Sequence, residues 1–188
     1  MPLFCEMDKD LNFRVEILFD SEILRHDLTG LFRNTIGYAS KIGAQYDSFI
    51  TRDGKILGQE RIQLLESLDN LFIYLVMLQV RLESVHGAER TKAESNYGFK
   101  ISIEKRSNKL TASGKIVQED LYGIKTFSAG FATLILGKIK KLLIMYKNSI
   151  QGDEIREHGF GEIYSMIDDI FYNIIAVRYN LENCLIDR

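Results

Sequence analysis

Residues 64–85 read LLESLDNLFIYLVMLQVRLESV, and the helical arrangement of the chain follows from this segment. Its apolar residues recur at alternating intervals of four and three, and this spacing places them on one line along an α-helix. The residues on this line, which we call the leucine seam, are Leu64, Leu68, Leu71, Leu75, Leu78, Leu82 and Val85. A heptad pattern of this kind is typical of helices that pack lengthwise against other helices.

The middle of the same helix, residues 71–78, is apolar on every side. A helix that is apolar all round has to be covered on more than one side. Two further helices of the same chain would provide that cover, and so would a second subunit. The pattern by itself leaves both alternatives open.

Helical periodicity recurs in three other segments, and the sequence predicts helices near residues 20–50, 59–86, 124–149 and 159–186. Asp20 or Ser21 is the expected cap of the first helix. The segment 97–118 alternates with period two around a turn, which predicts a small β-hairpin, whereas residues 1–14 are expected to be irregular or a short strand. The sequence therefore predicts one mainly all-α domain over 1–188, an antiparallel four-helix bundle with a β-hairpin insertion and helical hairpins at 20–86 and 124–186.

The composition excludes several classes of protein. The formal net charge of -2 lacks the basic excess that a dedicated nucleic-acid binder shows. Cys5 and Cys184 follow no metal-ligand or disulfide pattern, so we expect no metal and a reducing compartment. No signal-peptide pattern and no apolar run of about 18 residues is seen, so the sequence predicts a cytoplasmic protein without a membrane partner.

The first predicted helix carries an apolar line on one side and a histidine on the other. The apolar line consists of Leu24, Leu28, Leu31, Thr35, Tyr38 and Ile42. At about 100° per residue His26 points away from that line, so we expect it to face solvent or a partner. The residues that share its face are small or basic, namely Gly30, Arg33, Gly37, Ser40 and Ala44.

Residues 20–86 resemble the phosphoacceptor hairpin of sensor histidine kinases and of the histidine phosphotransferases derived from them. In that family a His-Asp/Glu-Leu triplet is followed by Gly-Tyr eleven and twelve residues after the histidine. This chain has HDL at 26–28 and GY at 37–38, and the second predicted helix closes with RLES at 81–84, which is similar to the close of the family's second helix.

The resemblance implies a histidine phosphotransfer protein that accepts and donates a phosphoryl group at His26. Asp27 would polarise the imidazole, and Arg33 and Lys41 would hold the phosphoryl oxygens. The implied partner is a response-regulator receiver domain that docks over Gly30, Arg33, Gly37 and Lys41. The family also pairs its hairpins into dimers, so together with the apolar 71–78 segment we expect a homodimer. No Gly-rich phosphate loop follows a strand, so we expect no ATP and no other cofactor.

Two other functional classes are alternatives to histidine phosphotransfer. A non-enzymatic helical adaptor or regulatory protein would use its exposed faces only to bind a partner. The segment RLESVH at 81–86 resembles the Arg-x4-His motif of the HEPN helical-bundle ribonucleases, and this resemblance implies acid–base chemistry by Arg81 and His86. A basic cluster of Lys138, Lys140, Lys141 and Lys147 is interpreted as a solvated helix face.

Overall fold

The structure is a computed structural model that describes residues 3–18, 27–49, 58–86, 100–104, 106–117, 128–151, 154–155 and 157–183. The described residues form helices α1 (Leu28–Phe49), α2 (Gly58–His86), α3 (Ser128–Ser149) and α4 (Glu157–Asn183). The strands are β1 (Leu3–Met7), β2 (Asn12–Leu18), β3 (Lys100–Glu104) and β4 (Lys109–Lys115), with the two-residue strands β5 (Ile150–Gln151) and β6 (Glu154–Ile155). The protein is mostly helical with a small antiparallel sheet.

The predicted hairpin is present as β3 and β4, but it is half of a larger sheet. Strands β1 and β2, at the N-terminal end of the chain, complete a four-stranded antiparallel sheet in the order β1-β2-β4-β3. In β2, the buried residues Phe13, Val15 and Ile17 alternate with exposed or half-buried ones. This alternation is typical of a sheet with one face on the core and one in solvent. Of the two alternatives for residues 1–14, an irregular segment or a short strand, the structure shows the strand alternative, with β1 and the start of β2 in this segment.

Three of the four predicted helices match the structure to within a few residues, and the first is shorter than predicted. Its periodicity reaches back to about residue 20, but Asp27 is not helical and α1 begins at Leu28. The expected caps Asp20 and Ser21, and Leu24 of the apolar line, lie outside the described residues. The buried side of α1 consists of Leu31, Phe32, Thr35, Ala39, Ile42 and Tyr46.

The leucine seam is buried as predicted, and its six leucines are 0% exposed. The side chain of Val85 lies outside the described residues. The apolar middle of α2 is also covered, because Leu71, Phe72, Leu75, Val76 and Leu78 are at most 1% exposed within the single chain. Of the two alternatives that the sequence left open, cover by the same chain is sufficient for these residues.

Helices α2 and α4 pack in opposite directions. The guanidinium of Arg178 on α4 donates a hydrogen bond from Nε to Asp69 Oδ1 on α2 at 2.8 Å. Further along α2, the ring of Phe72 lies 4.6 Å from the ring of Phe171. Residue numbers therefore rise along α2 as they fall along α4. Helix α4 is buried on every side over residues 170–177, so neighbours must cover it all round.

The remaining contacts explain this all-round burial. Helix α1 packs against α2 and α3, and α4 packs against α2 and α3. The sheet reaches α4 as well, since the backbone amide of Val117 donates a hydrogen bond to the Tyr172 hydroxyl at 3.0 Å. The central parts of α2 and α4, around residues 71–78 and 170–177, are thus the most enclosed parts of the helices, while α1 and α3 keep one side exposed.

Across the part of the chain that the structure describes, no helix combines the length and the apolar character that crossing a membrane requires.

Candidate functional site

Asp27 forms the N-terminal cap of α1. Its Oδ1 accepts a hydrogen bond from the Thr29 amide at 2.8 Å, and its Oδ2 accepts one from the Gly30 amide at 3.2 Å. The first amides of a helix have no partner within the helix, and a carboxylate at the cap satisfies them. This capping explains why α1 begins at Leu28 rather than near residue 20. Both carboxylate oxygens of Asp27 are engaged by backbone amides.

His26, the predicted phosphoacceptor, lies outside the described residues. The contact that the resemblance implies between His26 and Asp27 lies outside them too. Helix α1 starts two residues after His26, so the helical-face geometry that we expected for this histidine does not follow from α1. The residues predicted to surround it on α1 are described, and their positions can be given.

Gly30 lies directly beside the cap. A Cβ atom at this position would come within 3.2 Å of Asp27 Oδ2, which is tighter than an ordinary van der Waals contact. Glycine therefore allows the Asp27 carboxylate to close over the first turn of α1. Gly30 therefore has a structural role at the start of α1, whereas its role in docking a receiver domain stays a prediction.

Arg33, Gly37 and Lys41 are exposed on one side of α1. A Cβ atom at Gly37 would meet nothing within 4 Å, so the surface there is open. Lys41 leans toward α2, because its Nζ lies 5.9 Å from the ring centroid of Tyr38, and the Tyr38 ring in turn stacks on Tyr74 at 5.1 Å. A lysine over an aromatic face is attracted by the ring quadrupole. The three predicted docking residues thus share one open face.

Arg81 and His86, the residues of the HEPN resemblance, lie in the last two turns of α2. Arg81 is half-buried, and its Nε is a buried atom without a hydrogen-bond partner among the described residues. The side chain of His86 lies outside the described residues. The structure therefore does not test whether the two side chains come together.

Helix α3 adds a basic surface beside α1. Lys140, Lys141 and Lys147 are exposed, and Lys138 is half-buried. Because α3 packs directly against α1, the basic residues of the two helices belong to one layer of the molecule. The sequence showed the lysine cluster, but it gave no signal that α3 lies beside α1. That signal is a tertiary contact between segments about 100 residues apart.

The layer formed by α1 and α3, which we call the α1/α3 layer, separates the charges of the molecule. It contains six of the 24 Lys and Arg residues and one of the 26 Asp and Glu residues. Helix α4 has the opposite composition, with five acidic residues and one Arg. A molecule with a net charge of -2 therefore has one distinctly basic side.

Lys138 marks the border between this layer and α4. Burial lowers the pKa of Lys138 and raises the pKa of Asp169 on α4, and the charge of each partly offsets that effect on the other. Both groups are partly withdrawn from solvent. Lys138 thus belongs to the α3–α4 contact, whereas Lys140, Lys141 and Lys147 are available to a partner.

Among the described residues, no group of three or more His, Cys, Asp or Glu side chains could hold a metal ion. The arrangement offers a charged, open helical surface, which suits binding. Comparison of this chain with protein-family models, with curated proteins and with solved structures finds no match.

Proposed function

We propose that this protein is a non-enzymatic helical adaptor that binds an acidic partner protein through the α1/α3 layer. The observation that carries the proposal is the charge separation, with six basic residues and one acidic residue in that layer. Complementary charge steers two proteins together and suppresses wrong partners. The exposed positions of Arg33, Lys140, Lys141 and Lys147 make these charges accessible.

The arrangement that this function uses is an antiparallel four-helix bundle with α1 and α3 as its open side. Its support is the pairing of the helices, in which each helix packs against two others. The contacts agree with opposite directions for two pairs of helices. Phe32 near the start of α1 meets Tyr146 near the end of α3, and Asp69 and Phe72 of α2 meet Arg178 and Phe171 of α4 in reverse order. In bundles of this kind the helices pack lengthwise against their neighbours and each outer helix leaves one face in solvent.

The proposal is tested by identifying a partner and then measuring its affinity for defined variants. Proteins captured on the immobilised chain are identified and purified, and each is titrated from about 50 mM to about 300 mM salt. The test variant is Lys140→Glu/Lys147→Glu, and the matched control is Lys9→Glu/Lys115→Glu, which reverses two exposed lysines in the sheet region.

We expect an affinity that falls with salt, is lost in the α3 variant and is kept in the control. Equal affinities for the wild type and both variants would overturn the proposal, because the basic layer would then make no contribution. Circular dichroism of each variant checks that the helices are intact.

Histidine phosphotransfer at His26 is the second candidate. The observation that favours it is the open face of α1, where Arg33, Gly37 and Lys41 are exposed. In this reaction an imidazole nitrogen would attack the phosphorus of an aspartyl phosphate on a receiver domain, and the aspartate carboxylate would leave. Wild-type protein that acquires an acid-labile, base-stable label, lost in His26→Ala, would support it. An unlabelled wild type would overturn it.

The homodimer expected from the sequence requires a surface other than the middle of α2. Leu71, Leu75 and Leu78 are already buried within one chain. Symmetrical pairing through the α1/α3 layer would place lysines against lysines, because a two-fold interface uses the same patch twice. Such a dimer would form at high salt more readily than at low salt.

A further inference from the structure

Helices α1 and α3 pack side by side, and the line between them has one wall on each helix, of which the α1 wall can be located from two ring contacts. The Phe32 ring lies 5.0 Å from that of Tyr146 on α3, and the Tyr38 ring lies 5.1 Å from that of Tyr74 on α2. At about 100° per residue, these contacts fix which flank of α1 faces α3 and which faces α2. The residues on the α3-facing flank are Arg33, Ile36, Ser40 and Gly43.

The α3 wall follows from the border with α4. The charge of Asp169 on α4 acts on Lys138, and the ring of Tyr146 meets the ring of Phe32 on α1, so the flank of α3 beyond Tyr146 and away from Lys138 faces α1. The residues on that flank are Leu136, Lys140, Leu143 and Lys147, with Ile144 next to them. Ile36, Leu136 and Leu143 are half-buried and pack against the core, whereas Ile144 is 58% exposed.

In the proposed antiparallel bundle the two walls run in opposite directions, which agrees with the contact of Phe32, near the start of α1, with Tyr146, near the end of α3. About one turn from Phe32 and Tyr146, Ile36 of α1 comes level with Leu143 of α3. About two turns further, Gly43 comes level with Leu136, and a Cβ atom at Gly43 would meet nothing within 4 Å. We name this feature the α1/α3 groove. Its apolar floor is Ile36, Gly43, Leu136 and Leu143, and its rim is Arg33, Ser40, Lys140, Ile144 and Lys147.

The groove has an apolar floor between basic edges, and this combination identifies one kind of occupant. An amphipathic helix would lay its apolar side on the floor, while acidic residues on its flanks would reach the lysines and Arg33. The floor from Ile36 to Gly43 is about 10 Å long, which is about two helical turns. A nucleic acid would use the cations but leave the exposed Ile144 without an apolar partner.

We infer that the α1/α3 groove binds an acidic amphipathic helix of a partner protein. This inference rests on the proposed adaptor function and specifies the partner's recognition element. The charge complementarity is local, because α3 carries four lysines and no acidic residue along its whole length. A second copy of the same face is disfavoured as the occupant, since its rim would bring lysines against lysines.

The test is fluorescence anisotropy of the full chain with four labelled probes. The first is an acidic peptide with leucines at heptad spacing and glutamates elsewhere, and the second has the same composition in scrambled order. The third is poly-glutamate, and the fourth is a single-stranded RNA of similar length. We expect the amphipathic peptide to bind at least about tenfold more tightly than the other three probes.

Two variants separate the apolar contribution from the charge. Ile144→Asn removes an exposed apolar side chain without changing charge and should weaken binding of the amphipathic peptide only. Lys140→Glu/Lys147→Glu should abolish binding, and Lys9→Glu/Lys115→Glu should leave it unchanged. Circular dichroism confirms that each variant is folded.

The outcomes distinguish this inference from the adaptor proposal. Equal binding of the amphipathic peptide, the scrambled peptide and poly-glutamate, lost only on charge reversal, would overturn helix docking and leave the adaptor proposal standing. Preferential binding of RNA would overturn both proposals. No binding of any acidic probe would also overturn helix docking, whereas the adaptor proposal would then be decided by the titration of purified partners.

Discussion

The ring of Phe32 on α1 lies 5.0 Å from the ring of Tyr146 on α3, tilted by 32°. This contact joins two helices that are far apart in the sequence, and it fixes the side on which each presents its exposed residues. Aromatic pairs at this distance and tilt contribute about 0.5–1.5 kcal/mol beyond the area that they bury. The contact therefore stabilises the α1/α3 layer, in which Arg33 and Lys147 directly follow the two rings in sequence and are both exposed.

Removal of the Asp27 carboxylate should destabilise the fold through the helix cap. Asp27→Ala leaves the Thr29 and Gly30 amides without their acceptor, so we expect the free energy of unfolding to fall by about 1 kcal/mol. Urea denaturation followed by circular dichroism measures this change. Asp27→Ser is the matched control, because a serine oxygen also caps a helix and should retain most of the stability. Equal losses in the two variants would contradict the capping role.

Substitution by alanine should change the stability in opposite directions at Gly37 of α1 and at Gly58 of α2. Gly37→Ala adds a Cβ atom in open space on the helix surface, and it should raise the free energy of unfolding by about 0.5–1 kcal/mol. Gly58 has a φ of 59°, a conformation that costs an alanine about 1–2 kcal/mol. Gly58→Ala should therefore lower the stability. A Gly37→Ala protein less stable than the wild type would show that the α1 surface is not open.

The apolar periodicity of the sequence predicts the four helices. The predictions differ from the structure where periodicity carries no information about a helix start or a strand. The leucine seam is buried as predicted because a long heptad pattern has one stable arrangement, with its apolar line inward. The predicted start of α1 is too early because the apolar spacing in the sequence continues back to Leu24, whereas α1 begins directly after the Asp27 cap. The sequence left residues 1–14 open between an irregular segment and a short strand, because β1 is short and the loop between β1 and β2 lacks the Asn-Gly or Asp-Gly pair that marks a tight hairpin.

Only part of the candidate site could be predicted from the sequence. The exposed face of α1 with Arg33, Gly37 and Lys41 could be derived from helical spacing alone. The contribution of Lys140, Lys147 and Ile144 could not, since it depends on α3 packing beside α1. Contacts between distant segments leave no mark in local periodicity.

Alkaline pH should destabilise the protein through Tyr46. Burial raises the pKa of the Tyr46 hydroxyl, so the unfolded chain loses this proton first as the pH rises past about 10. The stability that the neutral hydroxyl supplies is complete below that pH and is lost as the pH rises toward the folded-state pKa. Tyr46→Phe should reduce this loss in denaturation curves at about pH 10 to 11. A loss unchanged in Tyr46→Phe would contradict the assignment.

The single chain should keep its fold as a monomer. The apolar middle of α2 is buried by the same chain, so no second subunit is needed to cover it. Light scattering at micromolar concentration should give a mass near 21.7 kDa, with the helical circular dichroism unchanged on dilution. A mass of about twice that value would show that another surface pairs two chains.

We propose that the α1/α3 layer is the surface through which this protein meets a partner. The most direct measurement places a photo-crosslinking amino acid, such as benzoyl-phenylalanine, at position 144 or at position 117 and irradiates living cells that express the chain. Ile144 is 58% exposed beside the α1/α3 groove, and Val117 is 47% exposed next to the sheet, so the two positions are matched in exposure and apolar character. We expect a discrete crosslinked adduct from position 144, and we expect it to be absent with Lys140→Glu/Lys147→Glu. Position 117 should give no adduct. An adduct from position 117 alone, or an adduct from position 144 that survives the charge reversal, would contradict it.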